Sequence, residues 1–336
     1  MPKLDLVRIF TDLALPAGDT FGDRFTAQAV PGVSSCSVGK DSAGLPALLI
    51  QTEASTPRAP VAPIVLENLS VIHNVDCRIR CANGQATTYR VSVIRCCGED
   101  PALHEYFLRT LSPIISSLRE RPTRDQVGEV VNRLVELFRQ ASHAPRKTVQ
   151  GLWAELFLIQ RGADPAALVR AWHVEPEDRF DFTDDEKRIE VKTVSGRARI
   201  HGFSLEQLRP PAGCRVMVVS VLMERAAGGH SVNDLVDDIR RRIGDPDMLI
   251  RLDCVVATTL GSDWRAAQEQ RFDRQLAEDT IRFLDARTVP SVPGGLPPEV
   301  TKVHFQVDLS NHPLDFPEEL WKTGGIFASA STRRVV

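Results

Sequence analysis

Residues 180–196 read FDFTDDEKRIEVKTVSG, and within them two carboxylates and a lysine are spaced so that they could work together. In a strand alternate side chains share a face, so Glu190 and Lys192 point one way and Ile189 and Val191 the other. Asp181 stands upstream across TDDEKR, whose acidic TDDE portion reads as a turn. Folding there brings Asp181 beside Glu190 across a two-stranded ribbon. Two carboxylates that close repel unless a proton or a cation lies between them. Mg2+ takes oxygen ligands in octahedral geometry, often one or two carboxylates completed by water and a substrate phosphate. Lys192 then stands where it could orient an attacking water or neutralise charge on phosphorus, while the cation would acidify bound water and polarise the phosphoryl oxygen. The same residues also read as a half-exposed hairpin. Glu-x-Lys on one strand face is a common solvated pair worth about 0–1 kcal/mol, and TDDEK is a routine polar turn.

Neighbouring residues divide in the same way. Glu155 lies among Trp153, Leu156, Phe157 and Ile159, and reads equally as an acidic partner for the hairpin or as the polar side of an amphipathic helix. Ser204-Leu205-Glu206-Gln207 fits a capping box, with Ser204 as N-cap; a part for Gln207 in the chemistry takes second place to that. Trp172-His173 could stack or hydrogen-bond near the site, with Trp172 the better core residue. Arg197, Arg199, His201 and Arg209 follow the hairpin and Arg146 and Lys147 precede it, enough to line one side of a phosphate-binding cleft. Arg240-Arg241-Arg242 follows Asp237 and Asp238 and reads as a solvated helix face with i,i+3 or i,i+4 pairs. No P-loop, HExxH or GxSxG is found, which leaves nucleotide-driven, zinc-protease and serine-hydrolase readings without support.

The elements that must hold these residues follow from periodicity. Residues 1 to about 100 read as β: PALLIQT, IVLENLSVI, DCRIRC and TTYRVSVIR are short runs of strand formers, with a hairpin signal at Asn83-Gly84 and a Pro- and Ala-rich loop at 53–63. From 101 the period becomes helical. Val127, Val130, Val131, Leu134, Leu137 and Phe138 make one stripe, RERPTRD turns between two helices, and a third helix is expected over 147–161 with Gly162 as its stop. The apolar strand RVMVVSVLM follows at 215–223. Ser231 caps an amphipathic helix whose buried stripe is Leu235, Val236, Ile239 and Ile243, and PDMLIRLDCVVATTLG continues as helix to Gly261. RFDRQLAE, TIRFLDA and VTKVHFQVDL return to β character. The result is an α/β core with mixed pairing behind a β-rich N-terminal domain.

Composition sets outer limits. With 336 residues, 43% hydrophobic and 25% charged, the chain is long enough for one large domain or two to three modest ones. Neither a signal peptide nor an apolar run of membrane-spanning length is visible, so a cytoplasmic protein without membrane partners is expected. Seven cysteines do not suggest a disulfide framework. Cys77, Cys81, Cys96 and Cys97 sit in strand-like runs and read as buried small side chains rather than zinc ligands. A net charge of −3 counts mildly against a nucleic-acid coat and leaves room for an enzyme with a local basic cleft.

GLWAELFLIQ (151–160), AWHVEP (171–176), FDF (180–182), IEVKT (189–193) and SLEQL (204–208) occur in that order. In them the chain resembles the PD-(D/E)XK nuclease superfamily, and more closely one of its bacterial families of unknown function linked to phage-defence islands. In that family a Gly-Leu-x-x-Glu-Leu helix and a Trp-His pair precede the Asp-Phe, and a Gln-Leu follows the lysine. The resemblance implies a restriction-endonuclease-like core with a mixed central sheet flanked by helices at 147–336, a helical connector at 101–146 and the β-rich domain at 1–100. It implies Asp181 and Glu190 as metal-binding carboxylates, Glu155 as a position that sometimes completes the metal site, and Lys192 as the catalytic lysine. It further implies Mg2+ or Mn2+ as cofactor, DNA as substrate, and a setting in defence beside a helicase-like ATPase and a DNA methyltransferase. A double-strand cutter of this kind would usually be a homodimer. Two departures stand out: Phe180 replaces the proline of the motif, and only eight residues lie between Asp181 and Glu190. A non-catalytic DNA- or protein-binding subunit on the same fold is therefore the competing expectation.

Overall fold

A computed structural model describes residues 5–16, 25–51, 62–81, 86–116, 118, 122–140, 145, 147–173, 178–293, 297, 299–300, 302–313 and 315–332. Two compact units result, Met1–His143 and Ala144–Val336. In the first, helix α1 (Leu6–Asp12) precedes strands β1 (Phe25–Val30), β2 (Val33–Asp41), β3 (Pro46–Gln51), β4 (Ile64–Val65), β5 (Leu69–Cys81) and β6 (Ala86–Cys96), followed by α2 (Pro101–Ser116) and α3 (Arg124–Gln140). The strand order is β1-β2-β3-β6-β5-β4, and β1 also pairs parallel with β5. That last pairing closes five strands into a ring and removes the exposed edges an open sheet would leave. Phe25, Ala27, Leu49, Cys77, Ile79, Val91 and Val93 pack together in its core.

The β-rich reading of this region holds, with changes of detail. The strand expected in IVLENLSVI is broken after Val65, and its second half runs on through DCRIRC as β5. The ladder with β6 slips between Ile72 and Val75, where Asn74 takes φ 54°; an asparagine tolerates that backbone better than a branched residue. Strands β1 and β2 carry weak apolar alternation and were not legible. Asn83-Gly84 and nearly all of the 53–63 loop lie outside the described residues. Helices α2 and α3, expected within a connector, make contacts with strands of the first unit's own sheet.

The second unit runs α4 (Val149–Arg161), α5 (Pro165–Ala171), β7 (Phe182–Asp184), β8 (Lys187–Val194), β9 (Ile200–Ser204), α6 (Leu205–Leu208), β10 (Arg215–Leu222), β11 (Arg225–His230), α7 (Val232–Arg242), α8 (Pro246–Leu260), α9 (Trp264–Glu269), α10 (Arg274–Thr280), β12 (Arg282–Asp285), β13 (His304–Asp308), α11 (Glu318–Trp321) and α12 (Gly325–Ala330). Its central sheet has the order β12-β10-β8-β7. Strands β8 and β10 are parallel while both outer pairings are antiparallel, so the mixed α/β core is present. One face of the sheet, with Ile189, Met217, Val219 and Val221, packs with α4, α5, α7, α8 and α12 around Trp153, Phe157, Leu235 and Phe327. The other carries Phe180, Phe203, Leu208, Val216, Val218 and Leu284. Helix α4 is buried along nearly its whole length, as expected of a helix apolar on all sides.

Here too the pattern was read correctly in outline. Helices α4, α7 and α8 stand where expected, with Gly162, Ser231 and Gly261 at their ends. RFDRQLAE, expected as strand, is instead α10, because the Asp273 side chain accepts from the Leu276 N–H and starts a helix there. Strands β9 and β11 were missed; β9 is recruited by pairing with β13, a contact between residues about a hundred apart. Among the described residues no helix is long and apolar enough to cross a membrane.

Candidate active site

The hairpin β7–β8 pairs Phe182 with Ile189 and Asp184 with Lys187. The turn is therefore Asp185-Glu186 alone, tighter than the acidic TDDE segment suggested, with Asp185 at φ 49°. Asp181 sits just before β7, held by its own groups. Its Oδ2 accepts from the Val191 N–H at 2.7 Å, and its carbonyl accepts from the His173 N–H at 2.9 Å. Trp172 forms a β-bridge to Phe182 and stacks on it with ring centroids 6.3 Å apart. Phe180 fills a place in the apolar cluster beneath. Ile189 lies in the core and Glu190 on the opposite side of the strand, as alternation requires.

Helix α4 brings a second carboxylate to Asp181. Glu155 is buried, with Oε2 accepting from the Trp172 indole Nε1 at 2.7 Å. It therefore does not lie on a polar helix side. The ammonium of Lys147 bonds Glu155 Oε1 at 2.8 Å and also Asp181 Oδ1. On β8, Glu190 Oε1 accepts from Lys192 Nζ at 2.7 Å and from Gln207 Nε2 at 2.7 Å. Gln207 completes the capping box of α6 with Ser204 and also receives Lys192 Nζ on its Oε1 at 3.2 Å. The capping reading of Gln207 holds, and the same amide also bonds both Glu190 and Lys192.

Three buried carboxylates stand against two lysines, and burial is the first influence on Glu155 and Glu190. Burial pushes Glu155 up to about 8, with the Asp181 charge adding to the shift and Lys147 and the Trp172 bond opposing it. Glu190 is pushed up to about 7 by burial and by Asp181, against Lys192. Burial alone would lower Lys147, yet its ion pairs to Glu155 and Asp181 win and hold it well above the ordinary lysine value. His173, its Nδ1 3.6 Å from Glu155 Oε2, is lowered to about 4 by burial and by Lys147. Glu155, His173 and Asp181 each offer one ligand atom, all within 4.8 Å of one another. Glu190 Oε2 and His173 Nδ1 are buried without a hydrogen-bond partner. Oxygen-rich donors with unfilled lone pairs and an ammonium already bridging two of them fit a divalent cation.

Several basic residues expected at a phosphate cleft are placed otherwise. Arg199 is buried, bonding the Ser220 carbonyl and hydroxyl and the Thr280 carbonyl. His201 is buried against the same Ser220 hydroxyl at 2.8 Å. Both tie β9 to β10 and neither presents a charge to solvent. Lys147 is turned into the carboxylates instead of towards a ligand, and Arg209 bonds the Val292 carbonyl from an exposed position. Arg197 is exposed, and Arg146 lies outside the described residues. Arg240 and Arg241 pair with Asp237 and Asp238 as the spacing suggested, but of the two only Arg241 is solvated; Arg240 also pairs with buried Asp253 at 2.5 Å, and Arg242 bonds backbone carbonyls of Gln160 and Gly162. His173 was not among the expected metal ligands, and its one signal in the sequence is its place next to Trp172.

A family model described as "Putative PD-(D/E)XK family member, (DUF4420)" matches residues 23–310. No curated protein matches the chain, and no solved structure does. PD-(D/E)XK proteins usually use divalent metals, and this chain gathers buried Glu155 and Asp181 with half-buried His173 in a group that could hold one. The matched span takes in every strand from β1 to β13, and the chain belongs to this PD-(D/E)XK family.

Proposed function

We propose that this protein is a divalent-metal-dependent nuclease that hydrolyses DNA phosphodiester bonds. The observation that carries the reading is that buried Asp181 and Glu155, bridged by Lys147, stand beside the strand that carries buried Glu190 and its partner Lys192. Asp181 and Glu155 would hold the cation, with Glu190 on the neighbouring strand adding negative charge beside it. Bound there, Mg2+ or Mn2+ would supply Lewis acidity to the phosphoryl oxygen and lower the pKa of a coordinated water. Lys192, kept on its rotamer by Glu190 and Gln207, is the donor for the attacking water and for charge growing on the phosphate. Hydrolysis adds the water oxygen to phosphorus and breaks one ester bond, the proton going to the departing sugar oxygen. Action against foreign DNA, beside an ATPase and a methyltransferase, is the setting this reading takes from the family resemblance.

A second reading has its own support. Lys147 neutralises two of the carboxylates with a tethered ammonium, and Phe180 stands where the motif has proline; a retired site kept as a binding scaffold would have the same features. Incubation of supercoiled, linear and single-stranded DNA with Mg2+ or Mn2+ separates the two. Cutting by the wild type that is absent in Asp181→Ala is the expected result. An Mn2+ affinity indifferent to Asp181→Ala, with no cutting of any DNA, would favour the scaffold.

A further inference from the structure

The backbone of His173 is fixed, while its ring Nδ1 is buried without a hydrogen-bond partner. Its N–H is fixed to the Asp181 carbonyl at 2.9 Å, and its imidazole stands edge-on to Trp172 with centroids 5.8 Å apart. Trp172 in turn donates to Glu155 and stacks on Phe182. The ring is therefore anchored to the same two elements that carry the carboxylates. Its Nδ1 is buried, lies 3.6 Å from Glu155 Oε2, beyond hydrogen-bond reach, and has no other partner. A buried lone pair left unsatisfied beside two carboxylates is a costly arrangement for a merely structural histidine. A metal ion would satisfy it. Two further observations point to a cation here: Lys147 already bridges Glu155 and Asp181, and the well-buried Glu190 keeps an unpartnered Oε2.

Mg2+ favours a shell of oxygen atoms and water, whereas imidazole suits first-row transition ions. We propose that His173 Nδ1 is a protein ligand to the metal, giving a mixed nitrogen–oxygen centre with Glu155 and Asp181 that selects a transition divalent ion over Mg2+. The proposal rests on the metal-site reading above and adds the ligand and the class of ion. The imidazole sets ion choice, the carboxylates set charge, and Lys192 stays outside the ligand set.

The test uses the full chain loaded with Mn2+ alone. Pulsed paramagnetic resonance is expected to show nitrogen modulation from one coordinated imidazole in the wild type and none in His173→Asn, which places an amide near Nδ1 and keeps the side chain polar. Competition titrations are expected to show the Mn2+ over Mg2+ preference falling about tenfold or more in His173→Asn, the scale on which loss of an inner or outer ligand partner acts. An unchanged melting temperature of the metal-free variant identifies the change as one of ligation. Mn2+ bound by the wild type with no nitrogen modulation, or with the same ion preference in both proteins, would overturn the assignment of His173 and leave the carboxylate site standing. Failure of the wild type to bind Mn2+ at all would overturn both.

Discussion

Lys147 and Glu155 make the residue-scale argument concrete. An ammonium shared between Glu155 and Asp181 does for the metal-free protein what a divalent ion would do better. Removing one partner of a buried ion group typically costs about 3–5 kcal/mol, and the part exposure of Lys147 puts Lys147→Met near the lower end. Thermal unfolding should show that loss without metal, and Mn2+ calorimetry should show tighter binding, since no side chain competes; weaker binding would mean that Lys147 assists the ion. Titration adds a pH signature. Glu155 and Glu190 are raised from the ordinary 4.5 to about 8 and about 7, so their contribution to stability is full below 4.5 and is lost as pH rises through those values. His173 and His201 are lowered to about 4, so theirs is full above 6.5 and is lost as pH falls. Between about pH 6.5 and 8 only the carboxylates act. The melting temperature of the metal-free protein should therefore drop across that window, and Glu155→Gln should flatten the drop. The pairing of Glu190 with Lys192 was legible because strand alternation fixes which side chains share a face. The inward turn of Lys147, Arg199 and His201 was not, because nothing local distinguishes a basic residue facing solvent from one facing a buried acceptor.

At the scale of elements, the site depends on short pieces held by side chains. Helix α6 is a single turn, and a helix that short has little stability of its own. Its capping box is what keeps Gln207 between Glu190 and Lys192. Ser204→Ala should cost about 1 kcal/mol, the usual loss of a cap. If the amide is the link argued for, the substitution should also lower the cleavage rate while Mn2+ affinity changes little; an unaltered rate would reduce Gln207 to its capping role. The signals that made helices α4, α7 and α8 readable were also local: the Ser231 cap and apolar stripe of α7, and apolar runs closed by Gly162 and Gly261 in α4 and α8. Strands β9 and β11 and helix α10 were hidden for the converse reason. β9 is a strand only because β13 comes alongside, and α10 starts at an aspartate that its mixed polar sequence does not single out.

On the scale of the whole molecule, a closed β ring with its own core and a mixed-sheet unit with a separate core share one chain. The ligand group and Lys192 belong entirely to the second. Net charge near neutrality suits that arrangement, because the strongest positive groups near the site answer to particular carboxylates and carbonyls instead of forming a general anionic sink. The proposed reaction turns on one lysine, Lys192, working on a phosphate placed against the neighbouring ion. The rate of plasmid cleavage at saturating Mn2+, wild type against Lys192→Ala, tests it most directly, with Mn2+ affinity measured on both proteins. The account requires a fall of about a hundred- to a thousandfold, the scale of removing one preorganised donor from a transition state, with Mn2+ still bound. Equal rates in the two proteins would contradict it.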